Sequence, residues 1–183
     1  ARSGAALTKA PGDLKLLSLH MHDLRRADRA DEAVAIAKDI VADRDRIEAA
    51  GEDGFWVVNE YAYALNEANH PDEAIAQLDW LLSLDIDHYP ELVSQAINRA
   101  DILNTDDRPQ DALAALTDLD SRSENYANMY GNMWIWSGIV CAAHALDKAD
   151  VEAAALQKMA RGAEANQAAM AQALACRADA DAL

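Results

Sequence analysis

The side chains able to do chemistry in this chain are few, and their spacing limits them. His20 and His22 stand two residues apart. On a helix such a pair points about 200° apart, so the two imidazoles do not share one metal ion. Cys141 and His144 are three apart and fall on one helix face, but two ligands are short of the four of a structural zinc site. Both are expected as buried packing residues. Asp85, Asp87 and His88 cluster in the segment DIDHY, without the glycine and later glutamate of a calcium loop, and a solvated turn is expected there. The chain has no HExxH, phosphate loop, GxSxG or dinucleotide fingerprint. Its 32 Asp and Glu include no pair that spacing alone assigns to acid and base roles. The expectation is therefore a protein that is not an enzyme and takes no cofactor and no metal. A metal-dependent sensor or enzyme is the remote alternative.

One further constellation is apolar. Tyr126, Met129, Tyr130, Met133 and Trp134 recur at helical spacing, a pattern that usually marks a core face. Gly131 and Gly138, one heptad apart, form a smooth strip on which another helix can lie. If the stripe is exposed instead, it offers a surface for a partner or for a second copy of the chain.

The elements that must carry these residues are helices. Of 183 residues, 41 are alanine, while glycine (7) and proline (4) are scarce. Alanine has the best helix propensity and no segment alternates with a period of two, so the class is all-α. The net charge is −16, and residues 51–183 carry all of it. A phosphate backbone would be repelled from such a surface, which argues against nucleic acid as a partner. The apolar run Met129–Leu146 is 18 residues long, near spanning length, but it holds Asn132, Ser137 and His144 and lacks flanking basic clusters. A buried helix is expected, with no membrane insertion. Cys141 and Cys176 either bridge, if their helices are neighbours, or remain two buried thiols. The chain begins at Ala1 with no initiator methionine, which is read as removal of an upstream segment by a signal peptidase or by cloning. The compartment stays open between cytoplasmic and periplasmic or secreted.

A short pattern recurs four times: LRRADRADEAV, LNEANHPDEAI, LNTDDRPQDAL and LDKADVEAAAL. Each begins at a leucine (Leu24, Leu65, Leu103, Leu146) and has an alanine nine residues on (Ala33, Ala74, Ala112, Ala155). A period of about 40 residues marks an array of helical hairpins, each of which buries its apolar face only against its neighbours. The helices expected are about 13–27, 31–50, 54–68, 71–84, 90–104, 109–119, 125–146, 150–161 and 163–178, with Asp13 capping the first, Pro71, Pro90 and Pro109 opening later ones, and Gly51 in a left-handed position after the second.

In these repeats the chain resembles the tetratricopeptide repeat family. With the four alanines at that family's twentieth position, the small eighth position falls on Met21, Ala62, Ala100 and Ala143. The family period is 34 residues; here the spacing is longer, the eleventh position is leucine rather than tyrosine, and the closing proline is absent. The resemblance implies an α-α superhelix, a TPR-like solenoid of antiparallel hairpins with four repeats plus a C-terminal capping helix. It divides the chain into an N-terminal extension over 1–12 and a single domain over 13–183, with repeats about 13–50, 54–85, 90–120 and 125–162 and a cap at 163–180. It also implies a non-catalytic scaffold or adaptor whose partner is another protein or an extended peptide, held in a groove lined by the first helix of each repeat. The groove positions that carry over include Lys15, His22, Arg25, Arg26, Trp56, Asn59, Tyr63, Asn66, Asp101 and Asn104. Such a groove is basic at one end and suits a peptide with an acidic end. The alternative is a structural or self-associating module, with a homo-oligomer formed through the Met/aromatic stripe.

Overall fold

The computed structural model describes residues 2–10 and 12–181. Among these residues there are eleven α-helices and no strand. By packing, the chain divides into two compact units, Ala1–Gln95 and Ala96–Leu183, where the sequence reads as one domain over 13–183.

Unit 1 holds α1 (Arg2–Leu7), α2 (Leu14–Arg25), α3 (Ala30–Ala42), α4 (Arg44–Ala50), α5 (Glu52–Glu67) and α6 (Pro71–Leu82). Helix α5 is its centre and packs against α2, α3, α4 and α6. That role explains its composition: Phe55, Val57, Val58, Ala62, Ala64 and Leu65 are all buried, so it is apolar on more than one face. Helix α2 contributes one face only, Leu14, Leu17, Met21 and Leu24, at the three- and four-residue spacing of an amphipathic helix. Its start is fixed by Asp13, whose carboxylate accepts the Leu16 N–H at 2.9 Å. The segment expected as an extension contributes α1, which packs on α2 through Ser3; its hydroxyl donates to Asp23 at 2.6 Å and lies 3.1 Å from His20 Nδ1. Pro11 lies outside the described residues.

The single helix expected over 31–50 is two. The backbone leaves the helical region at Asp43 (φ −83°, ψ 79°), and the Asp43 side chain accepts the Arg46 N–H at 3.2 Å, which caps a new helix. The break turns Ile47 fully inward and brings α4 onto α5. The approach requires a glycine: a Cβ on Gly54 would lie 2.3 Å from the Ile47 carbonyl oxygen. Gly51 has positive φ as expected, but with ψ −131° it is not in the left-handed helical well.

Unit 2 holds α7 from Ala96 on (the helix is Val93–Thr105, entered from a 3₁₀ turn at Pro90–Leu92), α8 (Pro109–Arg122), α9 (Met129–Ala145), α10 (Ala149–Arg161) and α11 (Gln167–Asp181). Helix α9 is its centre and packs against α8, α10 and α11. Three starts differ from expectation: Pro90 opens a 3₁₀ turn, and α7 itself begins at Val93. Helix α9 begins at Met129 rather than near 125, because Asn128 caps it by accepting the Gly131 N–H at 3.1 Å. Helix α11 begins at Gln167 rather than 163, where Asn166 Oδ1 accepts the Ala169 N–H at 3.0 Å. Among the described residues no helix is long and apolar enough to cross a membrane.

One junction occurs four times. Asp28, Asn69, Asp107 and Asp147 are the non-glycine residues with positive φ among those described. In each case the following N–H reaches back five residues, Arg29 to Leu24, His70 to Leu65, Arg108 to Leu103 and Lys148 to Ala143. This is the Schellman closure of a helix C-terminus, with Asp or Asn tolerating the left-handed position. The fourth junction is anchored at Ala143, not Leu146. The sequence alignment of the fourth segment is therefore three residues out of register with the turn.

Candidate functional site

On α2, Lys15, Ser18, Leu19 and His22 follow one another at helical spacing along the flank next to the buried face. On α5, Glu52, Asp53, Trp56 and Glu60 do the same. Because α2 and α5 pack side by side, the two rows face each other across a cleft of about 390 Å³. Three of the ten positions transferred from sequence, Lys15, His22 and Trp56, meet there. Leu19 is half exposed beside them. His22 Nδ1 lies 3.5 Å from Glu60 Oε2. With histidine neutral, the lining carries one cation against three carboxylates.

One turn beyond the cleft, Arg25 is already satisfied. Its Nη1 donates to Glu60 at 2.6 Å, and its Nη2 and Nε grip both oxygens of Glu67 at 2.6 and 3.1 Å. Its guanidinium lies 4.5 Å over the Tyr63 ring, and 13% of its side chain is exposed. Burial alone would lower the Arg25 pKa, but the Glu67 and Glu60 carboxylates outweigh it and raise it above the ordinary value. The basic end expected for an acidic peptide thus has its principal cation spent on internal ion pairs. Arg26 is exposed and Asn66 half-buried. Asn59 is 1% exposed. It sits on a buried flank of α5, because that helix packs on several sides, and it does not present its amide to a ligand.

The two candidates in unit 2 serve internal contacts. Asp101 accepts from Gln172 Nε2 at 3.0 Å, and Asn104 Nδ2 donates to the Gly138 carbonyl at 3.2 Å. Helix α11 is fastened to α9 by a Cys141–Cys176 disulfide, which resolves the alternative left open by sequence. Glu152 on α10 faces His144 Nδ1 at 3.1 Å and Arg177 Nε at 2.5 Å. On α8, Asp120 accepts from Trp136 Nε1 at 2.7 Å and from Lys158 at 2.5 Å. The Met/aromatic stripe is split: Met133 is buried, while Met129 and Tyr130 are about half exposed.

No group of three His, Cys, Asp or Glu with metal-binding geometry occurs among the described residues. In the Asp85 loop, the Asp85 carboxylate accepts the Asp87 N–H at 3.0 Å, a local turn contact. The cleft residues that the sequence reading omitted are Leu19, Glu52, Asp53 and Glu60. For Glu52 and Glu60 a signal was present in the 52–56–60 spacing around Trp56 on one helix. Comparison with protein families, with curated proteins and with solved structures finds no match to this chain.

Proposed function

We propose that this chain is a non-catalytic protein- or peptide-binding scaffold of the tetratricopeptide-like kind, its hairpins stacking as an α-solenoid. Unit 1 binds an extended segment of a partner across α2 and α5. The observation that carries the reading is the cleft in which Lys15, His22 and Trp56 converge. An indole supplies rigid contact area at little entropic cost, and long polar side chains at its rim suit hydrogen bonding to a peptide backbone. The fourfold helix junction is in keeping with an array of hairpins. The test is selection of peptides from a random display library on the immobilised full chain. Selected peptides should bind with micromolar Kd, weakened at least tenfold by Trp56→Ala with helicity by circular dichroism unchanged. Equal binding to wild type and variant would overturn the reading.

The exposure of Met129 and Tyr130 favours a second reading, self-association through the start of α9. Sedimentation of the full chain tests it. A dimer that Tyr130→Glu dissociates would support it, and a monomer at high concentration would reject it.

A further inference from the structure

Three aromatic rings of this protein carry a cation of the chain on one face. Arg25 lies 4.5 Å over Tyr63, Arg44 lies 3.9 Å over Trp80, and Lys158 lies 5.8 Å from the Trp136 centroid. Each is a half-exposed ring whose face carries a cation from the chain itself. Trp56 is half-buried like Trp80 and Trp136, yet no cation of the described residues covers it. It instead lines the cleft, with Glu52 and Asp53 one turn before it and Glu60 one turn after.

The electrostatics of the cleft point one way. Glu60 is engaged by Arg25, whereas Glu52 and Asp53 are exposed at the first turn of α5. The positive end of that helix would draw an anion, but these two carboxylates already occupy the position an anion would take. With Glu60 compensated by Arg25, Lys15 stands in the cleft against two further carboxylates, Glu52 and Asp53. An anionic ligand would meet this surplus; a cationic one would be attracted by it and would meet an indole that lines the cleft. Such an arrangement favours ammonium or guanidinium groups, whose charge is drawn to the ring face while the aliphatic stem covers apolar surface such as Leu19.

We infer that the α2/α5 cleft is a subsite for a basic side chain, lysine or arginine, of the bound segment, its cationic head resting on Trp56 between Glu52 and Asp53. The inference rests on the peptide-binding reading above and replaces the acidic-ended peptide expected from sequence. Trp56, Glu52 and Asp53 set the specificity. Lys15 faces the same cleft and is placed to donate to a carbonyl of the bound segment.

The test is a ¹⁵N-NMR titration of the full chain, following the indole N–H of Trp56, assigned by its loss in Trp56→Phe. The probes are Nα-acetyl-lysine methylamide, its arginine, norleucine and glutamate counterparts, and two Ser/Ala octapeptides that differ only in a central lysine or norleucine. The lysine and arginine probes should shift Trp56 saturably and bind about tenfold more tightly than norleucine, with glutamate weakest. Glu52→Gln with Asp53→Asn should remove that advantage, as should raising the salt to 1 M, where charges are screened within about 3 Å. Norleucine or glutamate binding as tightly as lysine would overturn the inference. If both octapeptides bind equally well, the peptide-binding reading stands and the cation subsite falls. If the lysine octapeptide binds no better than the single lysine probe, the subsite stands and the peptide-binding reading falls. No shift with any probe rejects both.

Discussion

Unit 1 and unit 2 are each built around one central helix, α5 and α9, yet they treat the flank of that helix differently. In unit 1 the flank of α5 beside α2 is left open as a cleft, and the order around it comes from ion pairs and cation–ring contacts centred on Arg25. In unit 2 a terminal helix, α11, lies against α9 and is fastened there covalently. The positions that sequence transfers to a groove follow the same division. Lys15, His22 and Trp56 face a cleft, whereas Asp101 and Asn104 are hydrogen-bonded to Gln172 and to the Gly138 carbonyl. Being on the first helix of a hairpin does not make a residue available to a partner. What the next element covers decides it.

The largest expected effect breaks the fastening of unit 2. The disulfide closes a loop across a sequence separation of 35 residues, for which loss of loop-closure entropy in the unfolded chain gives about 4 kcal/mol. Cys141→Ala with Cys176→Ala should lower stability by about 2–4 kcal/mol. Hydrogen exchange should quicken first in α9 and α11, with α2 and α5 retaining their protection. Equal loss in both units would show that the contrast drawn here is false.

The next effect belongs to unit 1. Arg25→Met leaves Glu60, 11% exposed, without its arginine, with His22 Nδ1 still 3.5 Å away. Breaking a largely buried pair in this way costs about 3 kcal/mol, and replacing the second partner by an apolar residue recovers part of it. Thermal unfolding of Arg25→Met, Glu60→Leu and the double variant should therefore be strongly non-additive, with the double variant more stable than Arg25→Met. Additive losses would mean that the pair acts as a surface ion pair.

Much of the fold was legible in the sequence, for reasons these residues make concrete. Helical class and most helix positions follow from alanine content, from Asp13 as a cap and from Pro71 and Pro109 at helix starts, all of which are local signals. The break at Asp43 was not legible, because Asp43 reads equally well as an exposed helix residue. What favours the break is tertiary: it places Ile47 in the core and lets α4 approach Gly54. The fourth turn falls out of step with the leucine pattern for a related reason. Leu146 matches the leucine pattern, but the turn is set by Asp147, the residue able to take positive φ. At the site, Trp56 was legible as an anchor, while the ion pairing of Arg25 and the burial of Asn59 depend on how α2, α3 and α6 surround α5.

Two glycines sharpen the contrast at a smaller scale. A Cβ on Gly54 meets backbone, the Ile47 carbonyl oxygen at 2.3 Å, whereas one on Gly138 meets the end of a side chain, Leu116 Cδ1 at 2.6 Å. Backbone cannot yield without separating α4 from α5, while Leu116 can change rotamer. Gly54→Ala should cost about 2–3 kcal/mol and Gly138→Ala about 1 kcal/mol, within the range for overpacked cores. Denaturant midpoints at constant slope would check this, and the reverse order would show that unit 2 is the more tightly interlocked.

The smallest effect is the pH dependence of α10 and α11 in unit 2. Burial pushes the Glu152 carboxyl up, but hydrogen bonds from His144 and Arg177 outweigh burial and hold it below the ordinary value. A carboxyl with a lowered folded pKa stabilises fully above its unfolded value of about 4.3 and loses that contribution as pH falls through the folded value. Acidification below about pH 4.3 should therefore loosen α10 and α11, which Glu152 and Arg177 join. Unit 1 has lowered carboxyls of its own, Asp23 bonded to Ser3 and Glu32 to Arg29, so global unfolding would mix the two units. Local hydrogen exchange in α10 and α11 separates them. Glu152→Gln should flatten the acid dependence there and leave that of α2 and α3 unchanged. If the variant follows wild type in α10 and α11, the Glu152 contacts do not anchor α11, which is then held by the disulfide, Gln172 and its packing on α9.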